Sequence, residues 1–138
     1  MRTVLLTLLL WAALGGAAEA QKTGFKCTFE GAKDRDWIQP LIFFGLDRAI
    51  DRVVVSDPAI LGLNGGVPLE GRLVQDNAAR VTFAWSLETR SASNQRVRMD
   101  YRATYLKASG KVNVTARPLG LEGVYNRAGT CIVQDLSP

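Results

Sequence analysis

Three consecutive runs in the second half of this chain alternate apolar and polar residues with a period of two, and that pattern constrains the fold more than anything else in the sequence. Val81, Phe83, Trp85 and Leu87 interleave with Arg80, Thr82, Ala84, Ser86 and Glu88. Val97, Met99, Tyr101, Ala103 and Tyr105 interleave with Arg96, Arg98, Asp100, Arg102 and Thr104. Val112, Val114 and Ala116 do the same with Lys111, Asn113, Thr115 and Arg117, and Pro118 ends the run. Successive side chains of a strand point to opposite faces, so each run buries one face and wets the other. The polar loop 89–95 and the turn Lys107-Ala108-Ser109-Gly110 join the runs as hairpins.

The first half reads the same way with weaker signals. Phe25, Cys27 and Phe29 share one face of a first strand, and 41–46 and 52–56 read as strands joined by the turn at 47–51. Trp37 reads as a core plug in the connector 34–40. Residues 57–67 hold Pro58, Gly62, Asn64, Gly65 and Gly66, and read as a loop with at most one short strand. The spans 71–75 and 119–125 are weak strands, and 130–134 closes the chain. Seven or eight short strands with hairpin connections would expose two sheet edges unless the meander closed on itself. The expected fold is therefore all-β, an antiparallel meander closed into a small barrel, with a two-sheet sandwich as the alternative.

The two cysteines support closure. Cys27 and Cys131 lie in the first and last candidate strands, and a count of two allows a single disulfide. Such a bridge needs an oxidising compartment, and the opening residues point to one. Arg2, the apolar stretch Val4 to Leu14 and the small-x-small Ala18-Glu19-Ala20 read as an export signal over residues 1–20, leaving one domain over 21–138. The apolar stretch is too short to span a bilayer, which takes roughly 20 residues. Cys27 lies too far past the cut to carry a lipid, so a periplasmic or secreted protein without membrane insertion is expected.

Histidine is absent from the whole chain. That removes Ser-His-Asp and Cys-His catalysis and the usual His-containing metal sites. Only Asp34/Asp36 and Asp47/Asp51 form close carboxylate pairs, and both fall in turns, where Asp bonds nearby backbone N–H groups. Neither spacing fits an EF-hand loop. No catalytic residue, cofactor or metal is expected, and a carboxylate-only envelope hydrolase is the enzymatic alternative.

Charge is distributed unevenly. Residues 21–79 carry seven basic and eight acidic groups, whereas residues 80–138 carry nine and four. Arg96, Arg98 and Arg102 project from one face of a strand, and a turn at Ser109-Gly110 would set Arg102 opposite Arg117 with Lys111 on the same face. Like charges directly opposite are destabilising, so the face needs Asp100, Glu88 or an anionic partner. Arg96, Arg98, Arg102, Lys111 and Arg117 are thus the candidate binding residues, with a solvated sheet face as the plain alternative. Arginine forks suit carboxylate or phosphate. Nucleic acid is not expected, because the interleaved aromatics point to the buried face and could not stack on bases.

The run from Tyr101 to Cys131, with its aromatic strand, glycine hairpin, Val-rich strand and closing Gly129-Thr130-Cys131, resembles the end of small exported bacterial β-proteins. That resemblance implies a barrel and a periplasmic location, and carries over no functional residue. Periplasmic inhibitors of host lysozyme have a similar small barrel and cysteine pair, but the resemblance does not extend to a convincing alignment of their inhibitory loop motif. The expectation is a non-catalytic exported barrel that binds a protein partner or an anionic ligand through the arginine face or the 57–67 loop. A small-molecule carrier, a lysozyme-inhibitor-like protein and an envelope-assembly component are the alternatives, with oligomeric state open.

Overall fold

The computed structural model describes residues 20–137. The export signal read over residues 1–20 therefore lies outside them, Ala20 excepted. Eight strands follow one another as β1 (Lys22–Thr28), β2 (Leu41–Asp47), β3 (Arg52–Ser56), β4 (Leu69–Asp76), β5 (Arg80–Arg90), β6 (Arg96–Leu106), β7 (Lys111–Pro118) and β8 (Tyr125–Asp135), with one short helix, α1 (Pro58–Leu63), between β3 and β4. Each strand pairs antiparallel with the next, and β8 returns to β1, so the sheet closes as a barrel rather than splitting into a sandwich. Among the described residues no helix is long and apolar enough to cross a membrane.

Closure is made by small, specific residues. Cys27 faces Cys131 across the β1–β8 seam, and the two form a disulfide with Cα atoms 4.0 Å apart. Two residues earlier in β8, Gly129 permits the approach of β1. A Cβ there would collide with the Thr28 carbonyl oxygen and lie 2.7 Å from the Phe29 ring. The Gly-x-Cys spacing singled out in the sequence is thus a closure device.

Inside, the alternating residues of six strands meet. Tyr105 and Phe83 both sit edge-on to Phe25, at 5.3 Å. Phe83 stacks on Phe44 at 4.6 Å, Phe44 meets Trp85 edge-on at 5.2 Å, and Trp85 stacks on Tyr101 at 5.0 Å. This aromatic column runs along the interior, packed around by Val53, Val55, Val81, Met99, Val112 and Val114, each no more than 1% exposed. Eight strands leave room for side chains or for one small ligand, and the column occupies that room.

The antiparallel meander places the four odd-numbered connections at one end of the barrel and the three tight turns at the other. The long-connection end is capped. Tyr101 donates its hydroxyl to the Trp37 carbonyl at 2.8 Å, Ile38 is buried, and Trp37 packs half-buried against the core. Ile60 of α1 is fully buried beside them. Asp57 starts this helix by accepting from the Ile60 N–H at 2.7 Å, and Pro58 follows at the first helical position. Burial pushes the Asp57 carboxyl above its usual range, against the backbone hydrogen bonds that favour its charge. Burial, with Asp57 nearby, also raises the Tyr101 phenol, which stays a donor.

At the tight-turn end, Asp76 accepts from Arg48 Nε at 2.8 Å and from Lys107 Nζ at 3.2 Å, tying three turns together. Burial alone would raise its carboxyl, but these two bonds and the two positive charges outweigh it and hold it below the usual range.

Four expectations need correction. The 57–67 loop contains α1 rather than a strand, because Asp57-Pro58 is a cap and first-turn pair strong enough to start a helix. The span 119–124 is not a strand: Gly120 and Gly123 have positive φ, and β8 begins only at Tyr125. The weak strand at 71–75 extends over the whole of β4, with a register shift between Leu73 and Gln75. Finally, the β6–β7 turn is not centred on Ser109-Gly110. The turn does occupy residues 107–110, as the sequence predicts, but Tyr105 pairs with Val112, so the hairpin is centred between Ala108 and Ser109 and the register moves by two.

Candidate anion-binding groove

The register shift changes the arginine face. Arg102 lies opposite Thr115, and Arg117 lies opposite Asp100, so the expected Arg102–Arg117 opposition does not occur. The fold thereby avoids a direct like-charge pair. Arg102 also pairs across β5 to Ala84, which in turn pairs to Arg72 of β4. One register row therefore reads Arg72, Ala84, Arg102, Thr115. The neighbouring row reads Ser86, Asp100, Arg117.

A concavity of about 650 Å³ lies over these two rows on the outside of the barrel. Arg72, Arg98, Arg102 and Arg117 line it together with Glu70 and Asp100. Its floor is low because Ala84, which lies between Arg72 and Arg102, carries only a methyl group there, beside the backbone of Gly71. A Cβ on Gly71 would come within 3.0 Å of the Ala84 carbonyl oxygen and 3.1 Å of Val53 and Val55. Glycine at that position lets β4 lie tight against β3 and β5.

The charges in the groove are not equally engaged. Asp100 accepts from Arg98 Nε at 3.2 Å and from the Ser86 hydroxyl at 2.6 Å, and Arg98 also reaches Ser86. Glu70 accepts from Arg52 Nε at 3.1 Å. Both acids are thus committed to neighbours. Arg72, Arg102 and Arg117 are exposed and have no hydrogen-bond or ion-pair partner among the described residues. Two exposed charges about 10 Å apart repel in water by only about 0.4 kcal/mol, so the fold tolerates the cluster, while an anion between them gathers all their attractions.

Of the candidate binding residues, Arg98, Arg102 and Arg117 come together here. Arg96 does not: it sits at the β5–β6 hairpin end, opposite Arg90 and 3.4 Å from Glu88. Lys111 does not either: it begins β7 at the tight-turn end, opposite Thr130. Arg72 belongs to the groove and was absent from the candidates. Its strand is weakly patterned, and only the pairing of β4 with β5 places it beside Ala84.

The carboxylate pairs serve turns. Asp36 accepts from the Lys33 N–H at 2.8 Å and from Arg127 at 3.0 Å, and Asp47 accepts from the Ala49 N–H. No cluster of three or more His, Cys, Asp or Glu residues is placed to hold a metal among the described residues. A second, smaller notch of about 270 Å³ opens at the tight-turn end over Phe25, Tyr105 and Val133, with Arg48 and Lys107 at its rim. Those two cations are engaged by Asp76. No known protein family matches the chain, and neither does any curated protein or solved structure.

Proposed function

We propose that this protein is an exported, non-catalytic binding barrel whose outer β4–β7 face recognises an anionic ligand or an acidic surface of a partner. The observation that carries the reading is the groove of four arginines, three of them without a partner among the described residues, over a floor set by Ala84. Its volume lies within the roughly 300–1,000 Å³ of typical ligand sites. Guanidinium forks on a rigid sheet need little reorganisation to meet carboxylate or phosphate oxygens. Export is supported by the signal-like residues 1–20, and the Cys27–Cys131 disulfide is compatible with an oxidising compartment. The absence of histidine and the use of the paired aspartates in turns favour binding over catalysis. The aromatic column fills the interior that a carrier would keep open.

The test is retention of the purified protein on immobilised polyglutamate, sulfated oligosaccharide and linear polyphosphate at low and high salt. Wild type should be retained by at least one of them at low salt and released as salt rises. The double variant Arg72→Glu, Arg102→Glu should be retained by none. Retention by no matrix, or retention unaltered by the charge reversal, overturns the reading.

A further inference from the structure

Resting on that reading and narrowing it, we infer that the groove takes a linear oligophosphate, an anion whose charge sits on successive tetrahedral phosphoryl groups. Arg72 and Arg102 occupy one register row on either side of Ala84. Their backbones are two strand spacings apart, about 10 Å, and the alanine between them leaves a depression that both side chains flank. A carboxylate holds its two oxygens in one plane, which matches a single guanidinium fork, although it can take a second cation. A tetrahedral phosphate presents oxygens to both sides at once and so fits a site gripped from two directions.

Arg117 extends the site. It stands two strands from Ala84 and one row towards the long-connection end, roughly 12 Å away by strand geometry. Arg117 lies in a different register row from Arg72 and Arg102, and a chain of phosphates can follow both rows and meet all three. Asp100 borders this path, with its carboxylate held by Arg98 and Ser86. Its negative charge leaves the line from Arg72 through Arg102 to Arg117 as the favourable track.

Other polyanions fit less well. Trp85 and Tyr101 border the groove, but their rings stack on each other and the two residues are buried, so little ring surface is left for a nucleobase or a sugar. The closed barrel has no free edge for an acidic peptide to extend by backbone pairing. Phosphate chains recognised by charge and fork geometry alone need neither feature. They could be free inorganic polyphosphate or a phosphodiester-linked polyol polymer of a cell envelope.

Calorimetric titration of the purified protein separates these cases. The probes are orthophosphate, tripolyphosphate, and linear polyphosphate, glycerol-phosphate oligomer and polyglutamate of about ten charges each. At least one of the two long phosphate chains should bind about 10-fold or more tighter than tripolyphosphate, because extra phosphates engage further arginines as linked sites. Whichever chain binds tighter names the source. Arg72→Ala and Arg102→Ala should each weaken binding about 10-fold, the scale of one lost charge-assisted contact. Lys26→Ala, an exposed charge on β1 away from the groove, should leave it unchanged. Equal affinity for polyglutamate, with the same arginine dependence, would overturn the phosphate assignment while leaving an anion groove intact. Binding that ignores chain length, or a Lys26→Ala loss equal to the arginine losses, would also overturn it. No binding to any probe would remove both this inference and the broader reading.

Discussion

Trp85 and Tyr101 lie face to face inside the barrel at 5.0 Å, while one residue along the same two strands Ala84 and Arg102 form an outward pair whose guanidinium has no partner among the described residues. The strands are the same and the register is the same. Inward, every large side chain is closely packed against others. Outward, over β4 to β7, positive charge gathers around the small residue Ala84. The difference teaches how a small barrel can separate its tasks: period two assigns stability to one set of residues and leaves the alternate set available for recognition.

The comparison breaks most readily at the seam. Cys27→Ser should lower stability by up to about 4.7 kcal/mol in the chain-entropy model, since the bridge closes a loop of about a hundred residues. Chemical denaturation followed by tryptophan fluorescence measures this, and an unchanged midpoint would show that pairing alone holds β1 to β8. Gly129→Ala should cost about 3 kcal/mol, the upper range for overpacking, because its methyl group would meet the Thr28 carbonyl and the Phe29 ring. In both variants the protein that remains folded should still bind anions, because neither residue lies on the groove face.

A smaller effect distinguishes a structural ion cluster from the groove. Asp76 lies below its usual pKa in the folded protein, so its stabilisation is present above the unfolded value of about 3.9 and is lost as pH falls through the lower folded value. Asp76→Asn should therefore be less stable than wild type at pH 7, by roughly 2 kcal/mol, the scale of one lost hydrogen bond to a charged acceptor, since the Asn oxygen still accepts. The gap should narrow once pH falls below about 4 and close only below the lower folded value. A gap that persisted in acid would mean that Arg48 and Lys107 hold the turns without it.

Much of this architecture is legible in the sequence because period-two patterning is a local signal. β5, β6 and β7 show it plainly, and Cys27 with Cys131 shows which strands close the barrel. What escaped depends on longer-range or finer terms. The helix at Pro58–Leu63 is too short for periodicity, and its signal is the Asp57-Pro58 cap within a glycine-rich stretch. The β6–β7 register depends on which residue takes positive φ, and Gly110 moves it by two places. That shift decides the site: it sets Arg117 opposite Asp100 instead of Arg102. Arg72 could not be found by reading one strand at a time, since its role comes from lying across Ala84 from Arg102.

The most direct test of this division of labour is the urea midpoint of wild type and of the triple variant Arg72→Ala, Arg102→Ala, Arg117→Ala, each with and without linear polyphosphate. Without the polyanion the two proteins should agree within about 0.5 kcal/mol, as expected for exposed residues outside the packed interior. With it, the midpoint of wild type alone should rise, because only its folded state offers the groove. A triple variant that unfolds much earlier without ligand, or that polyphosphate stabilises as strongly as wild type, would contradict the account.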